Sequence, residues 1–415
     1  MQQLDKKMIP LVPELLAPAG SEECFISALD FGADAVYLGS TEFGMRASPK
    51  NFTFSNLANA VDMAHKRGVK VYLTCNTIPR NDEIVKLPSF LEEAKDCKID
   101  GLIITDLGVL ALAKKYAADV DIHISTQLGV TNYASARMLH ELGAKRIVMS
   151  RELSLEEIHE IRTKTPAELE IECFVHGAMC VSFSGRCLLS NYFVGRDSNR
   201  GDCSQPCRWK YSLMEETRPG EFMPVFENDD GTYIMNAKDL CMIEHIPELI
   251  KAGANCLKIE GRAKSAYYTA VITNAYRCAI DEWIKSPDDD YKPSKWILDE
   301  IGKISYREYC TGFYFGHPRE NAYIYTEGGY KREWDVVAIA ESCDGGFLTA
   351  VQRNRFFEGD EIEILEPGRE PVKMIVQNLQ GIDGQALEAA SHPMMKIKMK
   401  CDLNINKDAI IRKAK

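Results

Sequence analysis

Between Glu14 and residue 285 the chain alternates short apolar runs with longer amphipathic ones. The short runs predict strands at Glu14 to Ala17, Ala35 to Leu38, Lys70 to Thr74, Gly101 to Thr105, Asp121 to Ser125, Arg146 to Ser150, Leu169 to Val175 and Cys256 to Ile259. Short, nearly continuous apolar runs suit strands covered on both faces. Helical patterns lie between them. SEECFISALDFG (Ser21 to Gly32) opens on a capping serine with glutamate beside it and closes on glycine, and TNYASARMLHELG (Thr131 to Gly143) is a second example. Repeated strand-helix units imply parallel strands joined by right-handed crossovers. Eight predicted strands are what an α/β, TIM-like (β/α)8 barrel requires. A Rossmann-like open sheet is the alternative, but no GxGxxG follows the first strand.

The pattern breaks at IKSPDDDYKPSKW (Ile284 to Trp296), where Pro287 and Pro293 bracket an acidic run that reads as a solvated turn. From Trp334 onward, runs such as WDVVAIA, GFLTAVQ and DEIEILEP alternate with Gly and Pro, the signature of short strands. RNRFFEGDEIEIL (Arg353 to Leu365) resembles compact barrels of the translation-factor type. The predicted organisation is a barrel over residues 1–285 with a Cys-rich insertion at 177–230, a linker and helical segment at 286–330, and a small C-terminal β-barrel domain at 331–415. Residues Lys396 to Lys415 hold seven basic and two acidic side chains. They read first as a solvated charged end and second as an RNA-phosphate contact.

Composition narrows the setting. A chain of 415 residues with 45% hydrophobic content can build two sizeable cores. No apolar run is long enough to span a membrane, and MQQLDKKMIPLVPELLAPAG is broken by prolines, so a cytoplasmic protein without membrane partners is expected. The net charge of −11 argues against nonspecific coating of nucleic acid, though not against a local basic face. Fourteen cysteines, with Cys24, Cys75, Cys97 and Cys256 in or beside apolar patterns, suit a reducing compartment.

Chemistry concentrates in residues 172 to 209, where Cys180, Cys187, Cys203 and Cys207 follow one another with six, fifteen and three residues between. Four thiolates from one irregular stretch can hold a 4Fe-4S cluster, zinc being the alternative. Zinc ribbons usually show two short cysteine knuckles, and this run has at most one; four unligated thiols are the plainest reading. Cys173 is expected in the core, since it alternates away from His176 along a strand.

In a barrel the catalytic face is built where strands end. Asn76, Asp106, Gln127, Arg151 with Glu152, His176, and Glu260 with Arg262 follow predicted strands. Each taken singly is as readily a helix cap, a turn former or a solvated side chain. His176 stands four residues before Cys180 and would bring an imidazole to the same rim. Arg46, Arg151, Arg186, Arg208 and Arg262 are candidates to grip a small anionic cosubstrate through paired hydrogen bonds, or else are surface residues. Lys258 and Glu260 alternate with Leu257 and Ile259, placing both on one face of the last strand, as catalytic groups or as a buried structural pair.

Glu172, Phe174, Gly177, Met179, Cys180, Gly185, Cys187, Leu189 and Ser190, with the blocks ELLAPAG (Glu14 to Gly20), GADAVYLG (Gly32 to Gly39) and LKIEGR (Leu257 to Arg262), resemble the collagenase-like peptidase family U-32. Several members of that family are oxygen-independent hydroxylation proteins acting on ubiquinone precursors, ribosomal RNA or tRNA. The tRNA branch forms 5-hydroxyuridine in the anticodon and requires prephenate. CSQPC (Cys203 to Cys207) resembles that branch, whereas other members draw their last cysteine from further downstream, which would make Cys241 the fourth ligand. The resemblance thus implies a tRNA-modifying iron-sulfur enzyme, with tRNA and a small anion as partners and an oligomer of like or unlike chains compatible with it. It also makes a functional role for LKIEGR the better expectation. A peptidase is the alternative, although neither HExxH nor GxSxG occurs. A noncatalytic assembly factor for another hydroxylase is a third reading.

Overall fold

The computed structural model describes residues 12–44, 51–179, 187–196, 203–206, 226–228, 231–233, 238–288, 290–317 and 330–415. Of the predicted site residues, Arg46, Cys180, Arg186, Cys207 and Arg208 lie outside the described residues.

Strands β1 (Glu14–Ala19), β2 (Ala35–Gly39), β3 (Lys70–Cys75), β4 (Gly101–Ile104), β5 (Asp121–Ile124), β6 (Arg146–Val148) and β7 (Glu170–Ala178) pair in parallel, each with the next. Two short strands, β8 (Phe226–Asn228) and β9 (Gly231–Tyr233), form a hairpin, and β10 (Asp239–Cys241) pairs antiparallel with β7. The next strand, β11 (Cys256–Ile259), pairs in parallel with both β1 and β7 and thereby closes an eight-stranded cylinder. The open-sheet alternative ends with that closure.

Strand ends moved where partners decide them. β7 continues three residues past its expected end, because β10 supplies hydrogen-bonding partners for His176, Gly177 and Ala178. Gly177 has a φ of +112°, and a Cβ there would lie 2.6 Å from the carbonyl oxygen of Glu260, so this crossing requires glycine. β6 stops at Val148, and Ser150 opens a turn to Leu153.

Helices occupy the connections, and most start at a side-chain cap. Ser21 accepts from the Cys24 N–H at 3.2 Å, Asn132 from Ser135 at 2.9 Å and Ser265 from Tyr268 at 3.2 Å. The helix Ala266–Lys285 is buried without a break from Tyr268 to Tyr276. Within the cylinder, Leu16, Ala35, Tyr37, Tyr72, Ile103 and Cys256 form an apolar layer. Cys24, Cys75, Cys97, Cys173 and Cys256 are all buried.

The chain divides into two compact units, residues 1–293 with 307–329 and residues 294–306 with 330–415. The segment expected as a linker is therefore shared. Its strand β12 (Tyr309–Cys310) pairs with β10 in the first unit, while its helix Lys295–Glu300 belongs to the second, where Ile297 and Glu300 are buried.

The second unit holds β13 (Trp334–Asp344), β14 (Phe347–Gln352), β15 (Phe356–Phe357), β16 (Glu361–Leu365), β17 (Val372–Ile375), β18 (Gln380–Gly381), β19 (Ala389–Ala390), β20 (Lys396–Lys400) and β21 (Ile410–Ala414). Seven of these make one antiparallel sheet in the order β17-β16-β21-β13-β14-β20-β18, and β15 pairs with β19. Val337, Leu348, Phe356, Ile364, Ile397, Met399 and Ile411 belong to its core. Among the described residues no helix is long and apolar enough to cross a membrane.

Candidate active site at the barrel mouth

Alternation along the strands turns every second side chain inward, and the inward positions form a polar series beneath the mouth. At its lower end, Arg146 contacts Glu14 at 2.7 Å, Glu170 at 2.6 Å and Glu172 at 3.3 Å. Glu172 in turn holds the Lys258 ammonium at 2.7 Å, with both side chains almost fully buried. Burial works against charge on Glu14, but Arg146 and Lys70 outweigh it and hold its carboxyl below the usual range. His123 is enclosed beside Tyr72, and burial together with Arg146 and Lys258 keeps its imidazole neutral.

Two aromatic rings lie above this network. The Lys258 ammonium is 4.5 Å from the Tyr37 ring centre and 5.4 Å from that of Phe174. The Tyr37 hydroxyl donates to the Ile259 carbonyl at 3.0 Å, and its pKa is raised by burial and by Glu260. The Arg151 guanidinium stacks on Phe174 with 3.8 Å to the ring centre, donates to the Ala178 carbonyl at 2.6 Å and pairs with Glu260 at 2.8 Å. Glu260 therefore stands at the rim and Lys258 one layer down, on the single face expected of them.

The opposite side of the mouth is set by Arg262, which donates to the Thr74 hydroxyl at 2.8 Å. Gly39 makes room for it, since a Cβ there would come within 2.4 Å of Arg262 Nη2. Thr105 donates to Gln127 Oε1 at 3.0 Å and also lies 3.2 Å from the Asn76 carbonyl oxygen. Asp106 is a helix cap, accepting from Gly108 and Val109 at 2.8 and 3.0 Å, the plainer of its two readings. Arg151 and Arg262, each held by fixed partners beyond the strand ends, carry the paired donors that suit a small carboxylate or phosphate.

His176 lies on β7 among three tyrosines, with ring centres at 6.1 Å for Tyr268, 5.6 Å for Tyr276 and 5.2 Å for Tyr309. The Tyr276 hydroxyl stands 3.5 Å from Nδ1 and the Tyr309 hydroxyl 3.4 Å from Nε2. Burial pushes the His176 pKa down to about 3, so the imidazole is neutral at physiological pH. Opposite it in the ladder is Cys241, whose thiol burial pushes up to about 11 and whose sulfur is 3.9 Å from the Tyr276 hydroxyl.

Of the four thiols expected to act as ligands, Cys187 is half-buried and Cys203 exposed. Ser190 joins their two segments: its hydroxyl lies 2.9 Å from that of Ser204 and accepts from the Ser204 N–H at 3.0 Å. Among the described residues no group of three or more potential metal ligands is assembled. The Ser190–Ser204 contact ties the segment after Cys187 to the one that carries Cys203. Thr74, Thr105, Glu172, Arg146, Tyr37, Tyr276 and Tyr309 were not singled out as site residues by sequence, except that Glu172 formed part of the cysteine-containing signature. The charged residues within apolar strands, Glu14, Arg146 and Glu172, were the readable signal.

Residues 20–323 match Peptidase family U32, and residues 332–412 match the Peptidase family U32 C-terminal domain. The chain belongs to peptidase family U32. Among U32 relatives, the tRNA hydroxylation protein P1 of Bacillus subtilis (strain 168) is 37% identical over 412 residues, covering 99% of this chain and 97% of its own. The tRNA hydroxylation protein P of Escherichia coli (strain K12) is 34% identical over 423 residues, with 91% of each chain covered. A collagenase of Porphyromonas gingivalis (strain ATCC BAA-308 / W83) is 31% identical over 313 residues and 73% of each chain. The family thus includes both tRNA hydroxylation proteins and a collagenase.

Proposed function

We propose that this U32 protein is a tRNA-modifying enzyme that hydroxylates anticodon uridine to 5-hydroxyuridine, using a 4Fe-4S cluster and prephenate as a small anionic cosubstrate, in the cytoplasm. The observation that carries the reading is the 37% identity with a tRNA hydroxylation protein across nearly the whole of both chains. Converting a ring C–H to C–OH needs an oxygen donor and an acceptor for two electrons, both co-reactants from outside the chain, and a bound cluster would supply the one-electron redox chemistry between them that side chains lack. Cys180, Cys187 and Cys203 would hold it, with Cys207 or Cys241 as the fourth ligand. Arg151 and Arg262 bind and orient the cosubstrate carboxylates at the mouth, each fixed by the partners described above. Glu260 sets the position of Arg151 through their ion pair. Lys258 contributes fixed positive charge below the aromatic layer.

The collagenase relative favours a peptidase as the second reading. Against it, a Cys-His pair built on His176 would have a base whose pKa is about 3, far from the value near neutrality that general-base catalysis favours.

Nucleoside mass spectrometry of tRNA from a deletion strain, complemented with the wild-type chain or with single cysteine variants, tests the proposal. Loss of 5-hydroxyuridine in the deletion, its return with the wild-type chain, and no return with Cys187→Ala or Cys203→Ala are expected. Anaerobically purified protein should be brown and contain about four irons per chain. Unaltered tRNA in the deletion strain, with collagen cleaved by the purified protein, would reverse the ranking.

A further inference from the structure

The C-terminal unit contains two cysteines, Cys343 and Cys401, and the fold brings them together from distant parts of the sequence. Cys343 sits near the end of β13 and Cys401 directly follows β20, with β14 between those strands. Both thiols nevertheless donate to one acceptor, the Leu403 carbonyl oxygen, Cys343 from 3.0 Å and Cys401 from 3.7 Å. The two sulfurs therefore converge on the same atom, and they also hydrogen-bond each other. What lets Cys401 reach across is the tight turn of the β13–β14 hairpin. Gly345 and Gly346 have φ of +59° and +80°, the glycine-favoured two-residue form, and the Gly346 carbonyl accepts from the Cys401 N–H at 2.9 Å. Cys401 belongs to the apolar core of this unit and Cys343 packs against it.

The pair is asymmetric. Cys343 is half-buried and within reach of a small oxidant, whereas Cys401 is 3% exposed. Burial, with the Cys343 sulfur beside it, raises the Cys401 pKa, so that sulfur is held as a thiol. An accessible thiol backed by a second thiol is the arrangement of a self-resolving redox pair, in which the first sulfur is oxidised and the second traps it before oxidation goes further. We infer that Cys343 and Cys401 form a reversible disulfide when the protein meets a peroxide. In the first step the Cys343 sulfur breaks the O–O bond of hydrogen peroxide, giving its sulfenic acid and one water. The Cys401 sulfur then displaces the hydroxyl group, the S–S bond forms, and a second water carries away the Cys401 proton. Two thiols are thereby oxidised and one peroxide reduced, and both hydrogen bonds to Leu403 are given up. The diglycine turn supplies the backbone freedom that brings the two sulfurs to bonding distance. The pair limits damage, because a lone Cys343 would proceed to the irreversible sulfinic acid, whereas added thiol reopens a disulfide. This inference is independent of the tRNA reading and of the cysteines assigned to the cluster.

Peptide mapping of the full-length protein tests it. The chain is treated with hydrogen peroxide at a dose that converts the exposed Met394 to its sulfoxide, alkylated with N-ethylmaleimide, digested with trypsin without reduction and read by mass spectrometry. Trypsin releases Cys343 in the peptide Glu333 to Arg353 and Cys401 in the peptide Cys401 to Lys407. The bond should appear as these two peptides joined, lighter than their sum by two hydrogens, with loss of both alkylated forms. Dithiothreitol before alkylation should return them. In Cys401→Ala, Cys343 should accumulate as the sulfinic acid at the same dose, while the wild-type chain shows none. Two alkylated peptides from the treated wild-type chain would overturn the inference, as would wild-type Cys343 reaching the sulfinic acid as fast as in Cys401→Ala. A Cys343 peptide joined to any cysteine other than Cys401 of the same chain overturns it as well. The wild-type map decides the bond by itself if Cys401→Ala does not fold.

Discussion

Both units of the molecule bury charge, yet they do so in different surroundings. In the C-terminal unit, Arg412 is wholly buried and bonded to Glu300 and Glu363, and Lys303 pairs with the same two carboxylates at 3.0 and 2.8 Å. The Arg412 guanidinium and the Lys303 ammonium lie 5.3 and 4.9 Å from the centre of the Trp334 ring. This network fastens the helix Lys295–Glu300 to β16 and β21, and its members are satisfied by one another. In the barrel, the corresponding network of Glu14, Arg146, Glu172 and Lys258 ends beneath Tyr37 and Phe174, whose neighbours are the arginines of the mouth. Similar ion-pair chemistry therefore serves attachment in one unit and supports a polar site in the other.

The sharpest way to break that comparison is to remove one partner from each network. Glu172→Ala and Arg412→Ala should each cost about 3–5 kcal/mol, because each leaves buried charge without its counterion; urea unfolding of the full chain measures this. Replacing the C-terminal network, and the Glu172–Lys258 pair of the barrel, by apolar side chains should then separate their roles. Arg412→Met with Lys303→Met, Glu300→Leu and Glu363→Leu should recover much of the stability and keep 5-hydroxyuridine formation, whereas Glu172→Leu with Lys258→Met should lose it. Equal loss of modification in both multiple variants would refute the distinction.

Arg151→Ala should lower kcat/KM for tRNA hydroxylation about a hundredfold, roughly 2.7 kcal/mol, while unfolding is much less affected than in Glu172→Ala. Arg151→Lys should not restore it, since an ammonium cannot reproduce a stacked guanidinium with two directed bonds. Gly39→Ala acts at one remove, by displacing Arg262. It should raise the KM for the anionic cosubstrate with kcat less changed, and an unchanged KM would show that Arg262 does not contact it.

The most gradual effect is the pH response. His176 has a folded-state pKa of about 3 against an ordinary value of 6.5, so below about pH 6.5 the unfolded chain takes up a proton that the folded chain refuses. Stability should fall as pH drops from about 6.5 toward 3, by at most about 1.4 kcal/mol per unit for this residue. His123, also held neutral by burial, adds in the same direction. Urea midpoints measured between pH 7.5 and 5 should show the decline, and His176→Gln should make it shallower.

Much of this arrangement was legible along the chain. Strand-helix alternation gave the barrel because period and spacing are local properties, and the four-cysteine run stood out because its thiols are close in sequence. Lys258 and Glu260 could be put on one face from the two-residue repeat alone. Their different depths could not, because depth follows from register: Lys258 meets Glu172 on the neighbouring strand, 86 residues away, while Glu260 meets Arg151 at the rim, 109 residues away. His176 read as a rim imidazole, and its enclosure by Tyr276 and Tyr309 arises from a helix and a strand that return at least 100 residues later.

Local pattern by itself determined the eight barrel strands and their order, the residue types available for chemistry and the family resemblance. Only tertiary structure decided which charges neutralise one another and which guanidiniums stand at the opening. It also divided the segment after residue 285 between two units. The reason is physical: periodicity records how a segment meets its immediate surroundings, whereas ion pairing and burial depend on groups brought together by closure of the sheet.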